Sequence, residues 1–187
     1  MAFLKKLKGA EDLLVSMAGV QLGNRVLQIG HGNPRLISQL AAKVGISGQA
    51  AALVSDDTAA EAISRAAAAR GVLVDVKVSR FRAPPFAQGW FDVVVIPELV
   101  AAMRPHERVG TLQGVRHVLR VGGRCVVIEQ APRGGLGALF SARSIDPHYR
   151  AQGGAVAALR AEGFNPVRTL AERDGLLFTE GMNPDAA

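Results

Sequence analysis

Residues 26–32, VLQIGHG, constrain this chain's fold more than any other stretch. A short apolar strand runs straight into a Gly-x-Gly turn, and a helical pattern, NPRLISQLAAKVG, follows at once. Strand, glycine turn and helix in immediate succession build a nucleotide-type pocket at a strand end and helix N-terminus. Pro34 stands where a third glycine is often found, and the strand carries no acidic residue.

The rest of the chain alternates in the same way. Strands are expected at 25–29, 49–55, 72–78, 91–96 and 124–129, and helices at 33–44, 58–70, 106–119 and 151–162. Asn33 reads as an N-cap with Pro34 at the first helical position. Gly71 and Gly163 read as helix stops. The runs at 91–96 and 124–129 are almost continuously apolar, as in strands buried on both faces. Two last extended segments, 167–172 and 176–180, flank Arg173-Asp174-Gly175, and Asp-Gly between strands signals a hairpin. Five strands alternating with four helices predict an α/β fold: a three-layer, doubly wound, mostly parallel sheet of seven strands ending in an antiparallel hairpin. With 187 residues and no internal linker or repeat, residues 1–187 read as one domain.

Composition narrows the partners. The formal net charge is +6, but the basic residues are scattered, with no stripe of basic and aromatic residues that would suit a specific nucleic acid. The single cysteine, Cys125, sits in an apolar run and reads as a small buried hydrophobe. No run is long enough for a transmembrane segment. Residues 1–20 read as an amphipathic helix, with Phe3, Leu7, Leu14 and Met17 inward and Lys5, Lys6 and Lys8 solvated. Attachment of that helix to a membrane surface is the alternative to packing on the domain. A cytoplasmic protein is expected.

The order of elements resembles class I S-adenosylmethionine-dependent methyltransferases, most closely the small-molecule type of quinone biosynthesis. The resemblance runs from about Met17 to Met182. It is carried by VLQIGHG, PPFAQGWFDVVV, HVLRVGGRCVVIEQAPRGG and GFNPVRTLAERDGLLFTEG. It implies S-adenosylmethionine as cofactor, with Gly30, His31 and Gly32 facing its methionine part, Ser55 and Asp56 near the ribose and Phe81 near the adenine. The family also places an acid in the first strand, one at the end of the second and one after the third. Those positions read here as Gln28, Val54 and Arg80. A hydrogen bond to a charged group contributes roughly 1.5–3 kcal/mol, so losing two of the acids weakens cofactor binding by about 10²–10⁴-fold.

Several residues carry two readings. Asp56 either turns to the ribose or caps the helix that follows. His31 either meets a ligand carboxylate or is a turn residue; with no His or Cys at ligand spacing it marks no metal site. Arg80 either binds an anion, pairs with Asp56 or Glu98 as a plug in the cofactor space, or is solvated. Glu98 and Glu129, at the ends of the fourth and fifth strands, are substrate-side candidates for a general base, and each can instead cap a helix or meet an arginine. His148 and Tyr149 lie in a loop, 131–150, that the resemblance puts over the substrate; Arg133, Arg143 and Arg150 there suit an acidic small molecule. Two functions follow. One is methyl transfer to a small-molecule substrate. The other is a non-catalytic binding or scaffold subunit with an eroded cofactor site, working as a homodimer or with a partner protein.

Overall fold

The computed structural model describes residues 12–30, 33–131 and 147–184. His31, Gly32, Arg133, Arg143 and the first eleven residues therefore lie outside the description. A helix over residues 12–18 (α1) leads into β1 (Arg25–Ile29), α2 (Pro34–Val44), β2 (Gln49–Val54), α3 (Asp57–Arg70), β3 (Asp75–Val78) and β4 (Phe91–Pro97). A 3-10 turn (Val100–Ala102), α4 (Pro105–Val118), β5 (Leu119–Gln130), α5 (Pro147–Ala151), α6 (Gly154–Ala161), β6 (Val167–Arg173) and β7 (Leu176–Met182) follow. The seven strands lie in the order β3-β2-β1-β4-β5-β7-β6. The first five run parallel, and β7 is antiparallel to both its neighbours. This is the doubly wound layered fold expected from the sequence.

Alternation along each strand feeds two cores. Val26, Ala52, Val95 and Val126 pack under α1, α2 and α3, while Leu27, Leu53, Val94 and Cys125 pack under α4 and α6. Cys125 is fully buried, and burial pushes its thiol pKa up. At Asp92 the register between β4 and β5 slips, so Phe91 and Val93 face opposite cores. The Asp92 carboxylate accepts from the Arg25 N–H at 2.7 Å and the Arg120 Nε at 2.6 Å. Burial opposes its charge, but these two donors hold its pKa below the usual value, tying the starts of β1, β4 and β5.

Local signals worked as physical chemistry requires. Asn33 caps α2 by accepting from the Arg35 N–H at 3.0 Å. Asp174 and Gly175, with φ of 54° and 77°, form the two-residue turn between β6 and β7. Three expectations need correction. The helix expected at 151–162 starts only at Gly154, because Gly153 and Gly154 adopt φ of 98° and 59° and separate it from α5, most of which lies in the expected loop 131–150. The third strand is shorter than expected, since only Asp75–Val78 pairs with β2. The fifth begins earlier, at Leu119, which pairs with Phe91.

The described part of the N-terminal helix is anchored on the domain. Leu13, Leu14, Ala18 and Val20 are buried in the core. Arg124 donates to the Ala18 and Gly19 carbonyls at the end of α1 and reaches Glu180 at 3.1 Å. Arg168 completes the cluster at 2.9 Å from the other Glu180 oxygen. Among the described residues no helix is long and apolar enough to cross a membrane.

Candidate functional site

In an open sheet of this kind, ligands bind outside the carboxyl ends of the strands, where the strand order reverses. Here the order reverses between β1 and β4, beside the glycine turn. Gly30 has φ 88°, and a Cβ built there would stand 3.0 Å from Leu99 Cδ2, so the β1 turn and the segment after β4 approach closely. A cavity of about 560 Å³ opens at the ends of β2, β3 and β4, lined by Ser55, Ser79, Arg80, Phe81, Leu99 and His106 among others. A larger one, about 820 Å³, lies at the opposite ends of the strands, among Ile46, Leu73, Phe86 and Trp90. Its position, away from the switch point, makes the smaller cavity the candidate site.

The sequence-predicted residues divide around this cavity. Ser55, Arg80 and Phe81 line it. Val54 does not: its side chain is fully buried in the core under α2 and α3. Asp56 caps α3, accepting from the Ala59 N–H at 2.9 Å, and its second oxygen accepts from Ser55 Oγ at 2.9 Å. Among the described residues no ion pair joins Arg80 to Asp56 or Glu98. The wall beside Phe81 instead carries Arg80, Arg82 and His106.

Gln28 is fully buried. Its Nε2 donates to the Gly30 carbonyl at 3.1 Å and the Asn33 carbonyl at 3.4 Å, linking the end of β1 to the N-cap of α2. Those two carbonyl acceptors fix the amide's orientation and leave Oε1 buried with no partner among the described residues. A buried acceptor left empty costs about 1–3 kcal/mol.

The two substrate-side glutamates differ. Glu98 is exposed, directly after β4, and its φ of 50° places a non-glycine residue in the left-handed region. Such strain concentrates at functional sites. We expect Glu98→Gly to raise stability by about 0.5–1 kcal/mol in a thermal melt, whereas Glu98→Ala, which keeps the strain, should not. Glu129 is buried and engaged. Tyr149 Oη donates to its Oε1 at 2.8 Å, and the Ala155 N–H at the start of α6 donates to the same carboxylate. Burial raises the Glu129 pKa, against the lowering effects of Tyr149, Arg150 and Arg108. Burial also raises the Tyr149 hydroxyl, and Glu129 adds to that. The Arg108 guanidinium stacks 4.1 Å above the Tyr149 ring and donates to the Val100 and Met103 carbonyls. This cluster ties α5 and α6 to β5 and α4. His148 is exposed on α5.

The sequence reading missed Leu99, Met103, His106 and Thr111, which line the cavity from the 3-10 turn and α4. Their signal was the stretch LVAAMRPHE directly after Glu98, where Pro105 opens a helix beside a strand end.

A layered α/β sheet with a cavity at the carboxyl ends of β2, β3 and β4 is the architecture in which nucleotide-like ligands commonly bind. Residues 26–123, more than half of the chain, match the methyltransferase domain family, and the chain belongs to it. Among curated proteins none matches the sequence significantly. Solved structures share the fold at low identity. A SAM-dependent methyltransferase from Aquifex aeolicus is 15% identical with a TM-score of 0.74, over 92% of this chain and 88% of that one. The [4+2]-cyclase SpnF is 15% identical with a TM-score of 0.67, over 94% and 80%. A putative methyltransferase of Haloferax volcanii, in complex with the Trm112 methyltransferase activator, is 16% identical with a TM-score of 0.67, over 95% and 93%.

Proposed function

We propose that this chain is an S-adenosylmethionine-dependent methyltransferase acting on a small-molecule acceptor. The observation that carries this reading is the acceptor of Gln28, buried beside Gly30 with no partner among the described residues. A carbonyl oxygen there fits the N–H donors of the cofactor's amino-acid part, and the uncharged amide replaces the family's carboxylate without a buried charge. Gly30, with His31 and Gly32, would hold that same part. Ser55 and Asp56 would meet the ribose, and Phe81 and Leu99 offer apolar surface to the adenine.

When bound, S-adenosylmethionine supplies a methyl group on an already activated sulfonium. The chain then has to align the acceptor and exclude water. Glu98, exposed after β4, is the base for an acceptor that must lose a proton. Glu129 is committed to Tyr149 and α6, so its role in this reading is to hold those elements against the sheet.

A second reading rests on the cavity wall: Arg80 stands where the family has an acid, and Val54 offers no polar group. In that reading the site is eroded and the chain serves as a binding or scaffold subunit. Calorimetric titration with S-adenosylmethionine separates the two. Methyl transfer requires binding, which Gln28→Leu should weaken about tenfold and Arg80→Asp should tighten about tenfold. No heat and no thermal shift at millimolar ligand assign the chain to the second reading.

A further inference from the structure

The sheet has two edges, and they are built differently. At the β6 edge the ladder with β7 slips between Thr169 and Ala171, and the strand carries Arg168, Glu172 and Arg173. A slip of this kind twists an edge away from further pairing. At the other edge β3 pairs in regular register with β2 alone among the described residues. Its sequence, with one residue on each side of the central three, reads Val74-Asp75-Val76-Lys77-Val78. Val78 is 45% exposed, and Leu73, just before it, is 94% exposed.

This pentapeptide is complementary to itself. If two copies of β3 run antiparallel about a two-fold axis through Val76, Val76 faces Val76 and Val74 faces Val78. Asp75 then stands opposite Lys77 of the partner subunit, twice. Asp75 and Lys77 already share one face of the strand, 3.7 Å apart across an exposed pair. Because side chains alternate, only shifts that keep each residue on its own face are open to a sheet whose layers continue across the axis. The shift to either side sets Asp75 opposite Asp75 or Lys77 opposite Lys77, which repel. Charge therefore favours this register over its two neighbours.

We infer that β3 is a homodimer edge, and that two chains join there into one continuous sheet. The same register brings Leu73 of the partner subunit beside Ser79, on the rim of the candidate cavity. This inference is independent of whether the cavity binds S-adenosylmethionine.

The test is sedimentation velocity of the full chain from micromolar to millimolar concentration. The wild type should reach twice the 19.6 kDa chain mass. Lys77→Asp and Asp75→Lys should each raise the dimer dissociation constant by about tenfold or more. An equimolar mixture of the two variants should recover the dimer, because each supplies the charges the other needs. The double exchange, Asp75→Lys with Lys77→Asp, should dimerise like the wild type. A wild type that stays at 19.6 kDa throughout overturns the inference and leaves the edge to a strand of another protein. Single variants that dimerise unchanged, or a double exchange that does not dimerise, overturn it too.

Discussion

Glu180→Ala should lower stability by about 3 kcal/mol, the cost of removing one partner from a buried ion pair. Glu180 is 3% exposed on β7 and joins Arg124 of β5 to Arg168 of β6. Arg124 keeps only a quarter of its side chain in water, so losing the carboxylate leaves a largely desolvated guanidinium without its counter-charge. Arg168 is 69% exposed and contributes little, which keeps the expected loss at the lower end for such pairs. For a chain of this length the melting temperature should fall by about 10 °C. Because Arg124 also holds the Ala18 and Gly19 carbonyls, amide exchange in residues 12–18 should accelerate as well. A melting temperature unchanged by the substitution would show that solvent screens the cluster.

Glu129 should show a pH signature. Burial raises its carboxyl above the ordinary value of 4.5, so the fold favours the protonated form. Its contribution is then fully present below about pH 4.5 and is lost as pH rises through the raised value. Glu129→Gln keeps an acceptor for Tyr149 Oη and the Ala155 N–H without that titration. Denaturant melts across pH should find the Gln variant more stable than wild type at neutral pH, with the two curves converging in acid. Relative to Glu129→Gln, Glu129→Leu strands the buried Tyr149 hydroxyl and the Ala155 N–H and should cost about 3 kcal/mol at any pH. A Gln variant less stable than wild type at pH 7 would mean that Arg108 and Arg150, not burial, dominate the carboxyl.

These two clusters were only half legible in the sequence. Glu129 was recognisable as a polar residue ending a buried strand, with two outcomes open: a catalytic base, or a cap or arginine partner. Nothing local says that Tyr149, twenty residues on, folds back to donate to it. Glu180 gave no signal at all, because its partners come from β5 and β6 and meet only when the sheet is assembled. Asp56 illustrates the reverse. Its capping role was written in the adjacent residues, and the structure realises it at Ala59.

The sequence by itself determined the fold. Strand and helix periods, the N-caps at Asn33 and Asp56, and the Asp174-Gly175 turn are short-range signals, and their order leaves one layered arrangement. Only the tertiary structure decided which polar groups remain available. It spends Glu129 on Tyr149 and α6, buries Val54 and, among the described residues, leaves Gln28 Oε1 without a donor and β3 as an open edge. The physical reason is that a hydrogen-bonding group's availability depends on every neighbour that could satisfy it. Those neighbours come from distant parts of the chain.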